Sequence, residues 1–153
     1  MKHIKQITTI LLFSVFITSC NSLKTAVFDQ HAYQKSIEIK VETENLMDKA
    51  TTPYQDHLKD IGELGLEIEK ILEYEKNRPN NEITYAMWQL LADKDKNLLV
   101  GFFKRWQQKG ELNAVFIGEV KKQIAQAMDL LILYEAKKDK ETKDKLLALL
   151  ANN

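Results

Sequence analysis

The stretch TTPYQDHLKDIGELGLEIEKILEYEKN, residues 51–77, decides the fold class. Thr52 has the side chain of a helix N-cap, and Pro53 suits a first helical position, where its missing N–H costs nothing. Tyr54, Leu58, Ile61, Gly65, Ile68 and Leu72 then recur every three or four residues, joined by Leu64 and Ile71. At about 100° per residue these positions fill an arc of about 140°, a core-facing stripe on an amphipathic helix. Arg78-Pro79 ends it, because the residue before proline is pushed out of the helical region. Gly62 and Gly65 each cost about 1 kcal/mol relative to alanine inside a helix. Their place in the apolar repeat predicts another helix lying close over that flat spot. Leu66 and Tyr74 fall off the arc and are candidates for a small exposed contact patch.

Working outward, the preceding segment predicts a helix from about Asp29 to Ala50, with Tyr33, Ile37 and Val41 four apart on one face. After the turn at Arg78-Pro79, Asn80 or Asn81 has the chemistry to cap a third helix. Ile83, Met87, Leu90 and Leu91 begin its apolar face; Leu98, Leu99, Phe102, Phe103 and Trp106 complete it. DKDKN, residues 93–97, lies between. The reading favours one continuous or kinked helix, with a break capped by Asp93 or Asp95 as the alternative. Gly110 supplies the stop. A fourth helix is predicted from about Glu111 to Lys137. Leu112, Phe116, Val120, Ala127, Leu131 and Tyr134 make one seam; Ile117, Ile124, Met128 and Ile132 make a second, displaced by about 90°. The charged EAKKDKETKDK reads as solvated, and the closing KLLALLA as a short helix with Leu146, Leu149 and Leu150 on one side. Five glycines and two prolines among 153 residues leave few breakers, and no set of alternating strands stands out. The expectation is an all-α fold, an antiparallel bundle of about four main helices joined by short connections.

The start of the chain has a different character. Lys2 and Lys5 precede an apolar run from Ile7 to Ile17, and Ile17-Thr18-Ser19-Cys20 follows. The run has the length of a signal-peptide core and is too short to span a bilayer. This leader resembles that of bacterial lipoproteins, whose lipobox is cut just before a cysteine; Ile17 stands where leucine is commoner. The resemblance covers residues 1–20 only. It implies a cleaved signal peptide (residues 1–19), a lipidated tether (20–29) and a helical domain (30–153). It also implies a covalent diacylglyceryl group and an N-acyl chain, such as palmitate, on Cys20. Each buried methylene adds about 0.8 kcal/mol, so two or more chains anchor stably. The location implied is the cell envelope. Asn21, where an aspartate retains some lipoproteins at the inner membrane, favours the outer membrane facing the periplasm. With the only cysteine acylated, no thiol remains for a disulfide or a thiolate metal site.

The full chain has zero formal charge, with 22 basic and 22 acidic residues, and loss of Lys2 and Lys5 with the leader leaves −2. That argues against a nucleic-acid partner. His31 and His57 belong to no metal-ligating pattern, DKDKN lacks the glycine and glutamate of a calcium loop, and no GxSxG or phosphate loop occurs. No metal, further cofactor or catalytic residue is expected. Asp56, Asp60, Glu63 and Glu67 form a one-sign stripe, either a contact for a basic partner or a solvated face balanced by Lys104-Arg105 and Lys137 to Lys145. Trp88, Trp106, Phe102, Phe103 and Phe116 are either core or the wall of a ligand pocket. The second seam, Ile117, Ile124, Met128 and Ile132, is either internal packing or a partner or dimer surface.

Together these features favour a membrane-anchored, non-catalytic interaction or accessory lipoprotein, with an envelope protein partner or self-association. A small-molecule or lipid-binding helical bundle is the alternative, and an enzyme working through carboxylates alone is a weaker one.

Overall fold

The computed structural model describes residues 25–152, so the leader and Cys20 lie outside the described residues. Six α-helices and one 3-10 turn make up an all-α bundle, and no strand occurs among the described residues. The helices are α1 (Gln30–Asp48), α2 (Leu58–Lys76), α3 (Glu82–Ala92), α4 (Leu99–Lys109), α5 (Ala114–Lys137) and α6 (Lys140–Ala151), and the 3-10 turn is Tyr54–His57. The long α5 packs against α1, α6 and α3, while α2 bridges α1 and α3. None of the described helices is long and apolar enough to cross a membrane.

Several sequence expectations shift once the helices pack. Thr52 does not cap α2. Its hydroxyl donates to the Lys49 carbonyl (2.6 Å) and lies 2.7 Å from His57 Nε2. Pro53 instead precedes the 3-10 turn, and α2 begins at Leu58. The buried stripe of α2 is Leu64, Ile68, Ile71 and Glu75, rotated from the expected arc, so Leu58 is 50% exposed. Nor does a helix close over Gly62 and Gly65: a Cβ at either would meet nothing within 4 Å. On α1, Val41 is exposed and Tyr33 and Ile37 are half-buried. The packed face is Ala32, Ser36, Ile39, Thr43, Leu46 and Met47. Two hydroxyl residues hid it from a count of apolar positions. Ser36 bonds back to the Ala32 carbonyl at 2.8 Å, as serine and threonine do inside helices.

The third helix is broken. The backbone at Asp93 turns extended, ending α3, and the Asp93 carboxylate accepts the Asp95 N–H at 2.8 Å. Neither aspartate caps α4; Leu98 holds that position without a side-chain bond. The connection passes directly over the first turn of α4, and Gly101 makes room for it. A Cβ there would lie 1.7 Å from the Lys96 carbonyl oxygen. Gly110, at φ +79°, stops α4 as expected. Its carbonyl accepts the Tyr54 N–H (2.8 Å), and the Ala50 carbonyl accepts that of Leu112 (2.9 Å), tying two connections together. α5 therefore starts at Ala114, capped by Asn113.

At its other end α5 stops at Lys138, in the left-handed conformation (φ 50°), and Asp139 caps α6 through the Thr142 N–H at 2.8 Å. EAKKDKETKDK is mostly solvated as expected, with Ala136, Lys137, Asp139, Lys140, Glu141, Asp144 and Lys145 exposed. Glu135, Lys138 and Thr142 are the exceptions: they are largely buried, where α6 packs on α5 and α3.

Candidate functional site

The acidic stripe faces outward on α2, and lysines meet it. Lys49 bonds Asp60 at 2.9 Å, while Lys35 and Lys70 both reach Glu67, at 3.1 and 2.8 Å. Glu63 faces Lys59 at 3.8 Å, and Asp56 lies in the 3-10 turn. Hydrogen bonds from these lysines hold the Asp60 and Glu67 carboxyls below their ordinary range. Lys35 of α1, Lys49 just after it and Lys59 and Lys70 of α2 therefore supply the balance expected from Lys104-Arg105 and Lys137 to Lys145. Lys104 pairs with Asp95, and Arg105 lies over the Phe116 ring at 4.4 Å. The stripe residues Asp60, Glu63 and Glu67 line a groove of about 680 Å³ between α1 and α2.

The aromatic set and the second seam go inward. Trp88, Trp106, Phe102 and Phe103 are buried, with Phe116 partly buried beside them. Ile117, Ile124 and Met128 belong to the same core, and Ile132 is half-buried. His31 rests against the Tyr74 ring at 4.7 Å and His57 against Trp106 at 5.3 Å. No group of three or more possible metal ligands occurs among the described residues.

A cluster that the sequence reading missed lies at the end of the bundle where the chain enters α1. Glu75 near the end of α2 and Glu135 near the end of α5 are fully buried. Arg78, in the turn after α2, reaches both through Nη1, donating to Glu75 Oε2 at 2.7 Å and Glu135 Oε2 at 3.3 Å. Glu135 Oε1 accepts from the Thr84 hydroxyl (2.5 Å) and from Lys138. Asn81 stands at the N-cap position of α3 but points backward. Its Nδ2 donates to the Glu75 carbonyl (2.9 Å) and to the Glu75 carboxylate, so it serves the helix before it and not the one after.

The charges balance, two carboxylates against one guanidinium and one ammonium. The pairing compensates a desolvation that would otherwise cost several kcal/mol per ion. Burial still leaves its mark. It raises the Glu75 carboxyl above its usual range despite Arg78, and lowers the Lys138 ammonium despite Glu135. For Arg78 the balance goes the other way: burial is outweighed by the bond to Glu75, and the guanidinium is held more firmly protonated. Glu75 Oε1 and Asn81 Oδ1 are buried without a donor among the described residues. Neither carboxylate is open to a substrate, so the cluster works as a clasp.

What it clasps is the start of the described chain. Arg78 Nη2 donates to the Val27 carbonyl at 3.1 Å, and Nε lies 3.8 Å from Asp29. Asp29 caps α1 through the Ala32 N–H (2.9 Å) and accepts from the Tyr74 hydroxyl (2.8 Å). Burial would raise its carboxyl, but these donors and Arg78 together lower it. Ala26 is buried beside them.

No protein-family model, curated protein or solved structure matches the chain.

One signal for the clasp was present in the sequence. Glu75 continues the spacing of Leu64, Ile68 and Ile71, and Glu135 continues that of Ile124, Met128 and Leu131. A carboxylate at the next core position of two helices is compatible with a buried pair, and the packed partners decide it.

Proposed function

We propose that the protein is a membrane-anchored envelope lipoprotein, acylated on Cys20, that serves as a non-catalytic interaction or accessory module. The outer membrane, facing the periplasm, is the favoured location. The observation that carries the reading is the leader ending at Cys20, followed within six residues by Ala26, already packed into the bundle. An anchor so placed keeps the body against its membrane with almost no free tether. Support over the small-molecule binder comes from the aromatic residues and the second seam of α5, which are engaged in the core. One surface open to a partner is the α1–α2 groove with Asp60, Glu63 and Glu67, lined also by the exposed Leu66.

Cys20→Ser is expected to move the protein from the membrane fraction to the soluble fraction without changing its melting temperature. Full retention at the membrane, or an intact Met1 on protein from its native cell, overturns the reading.

A further inference from the structure

The segment 25–29 is held by its backbone and by small or polar groups, yet its two bulky apolar side chains point away from the body. Val27 is 82% exposed and Phe28 53% exposed, although Ala26 before them is buried and Asp29 after them is a bonded helix cap. Val27's own carbonyl is held by Arg78. A loose tail would expose such residues by default; here the exposure is imposed by a clasp. The Phe28 ring lies beside that of Tyr33, ring centres 6.0 Å apart. Beside them runs a groove of about 740 Å³, lined by Val27, Tyr74 and Pro79 together with the charged Lys70, Glu73 and Arg78. The wall adds a tyrosine, whose ring suits an apolar boundary and whose hydroxyl suits water.

Chain length says what covers this patch. Val27 stands seven residues after Cys20, so whatever the path between, it lies within about 25 Å of the anchored residue. We infer that the lipid surface holding the anchor is the occupant: Val27 and Phe28 enter the headgroup–acyl boundary, and the Arg78 clasp sets the bundle with this end toward the membrane. Residues that lie flat in such an interface bury their apolar side a few ångströms deep, and a second contact beside the acyl chains turns a swivelling anchor into an oriented one. The inference rests on the lipoprotein reading above.

The test uses the full chain purified with its lipid and reconstituted into phosphatidylethanolamine–phosphatidylglycerol vesicles carrying a nitroxide-labelled lipid. With Cys20 acylated, Val27→Cys introduces the one free thiol, which takes an environment-sensitive fluorophore. Val115→Cys is the control, because Val115 is 78% exposed and lies twenty residues along α5 from Glu135, about 30 Å away. The expected result is a blue shift and loss of emission at position 27 and neither at 115; Phe28→Cys repeats it. Acylated protein that floats with the vesicles while the label at 27 stays in water overturns the inference and leaves the lipoprotein reading standing. Shielding at 27 only in native membranes assigns the patch to a protein partner and overturns it too. A Cys20 thiol that itself takes the label removes the reading and the inference together.

Discussion

The two ends of the bundle are fastened by opposite chemistry. At one end Tyr54 meets Trp106 edge to face and His57 lies tilted against it, with ring centres 5.5 and 5.3 Å away, and the indole N–H donates to the Thr52 carbonyl at 3.0 Å. Phe102 and Phe103 extend the set, ring centres 5.4 Å apart. Two backbone bonds across the connections close it. At the other end Arg78 and Lys138 sit between Glu75 and Glu135. The aromatic end depends on filled volume, which is nearly indifferent to pH apart from the imidazole of His57. The ionic end depends on each charge keeping its partner, because a buried charge left alone is far costlier than the pair. The end that holds the chain's entry into the fold is therefore the one whose stability depends on pH.

Four substitutions break or sharpen that contrast. Trp106→Ala should cost most, about 3–5 kcal/mol, from lost contacts and a cavity the neighbours only partly fill. Denaturant unfolding should show this loss varying less with pH than that of Arg78→Ala. Arg78→Ala should cost about 3 kcal/mol at neutral pH, the scale for removing one partner of a buried pair. Its loss should shrink as pH falls, since the stranded carboxyls are neutralised on protonation. A pH-independent Arg78→Ala loss would show that the two ends do not differ as argued.

Glu75→Gln should have a smaller effect, of a known sign. The folded-state pKa of Glu75 is raised by burial, so the folded form binds more protons than the unfolded form just above the ordinary value of 4.5. Its contribution is most favourable below that value and is lost as pH rises through the folded pKa. Glu75→Gln should therefore flatten that part of the stability curve, gaining on the wild type as pH rises. Thermal melts at several pH values check it. Lys49→Ala, which removes an exposed bond to Asp60, should leave the melting temperature where it was, because exposed pairs contribute little.

Much of the helical course was legible because it follows from local rules. Pro79 and Gly110 stop helices through backbone sterics, and α5 follows its apolar spacing whichever neighbours surround it. The continuous third helix was misread because helix propensity across DKDKN is set against a tertiary contact. The Lys96 carbonyl lying over Gly101 has no signature in the residues between. The face of α1 was misread because Ser36 and Thr43 count as polar in any periodicity, yet are small enough to be buried. Gly62 and Gly65 were read as a contact and face open space instead. The site was less legible still. The stripe at Asp60, Glu63 and Glu67 was visible as charge, but Lys35 and Lys49 reach it only across the packing of α1 on α2.

By itself the sequence determined the helical class, the stops at Pro79 and Gly110 and the apolar seams of α5. Each depends on a residue's own backbone preferences or on its neighbours three and four positions away. The reading of Cys20 as an anchor likewise rests on sequence alone. Only the tertiary structure decided that Glu75 and Glu135 lie inside and that Val27 and Phe28 lie outside. A carboxylate is buried or solvated according to what faces it. Arg78 and Lys138 stand three residues after Glu75 and Glu135, but Arg78 and Thr84 reach Glu135 only because packing brings the turn after α2 and the start of α3 to the end of α5.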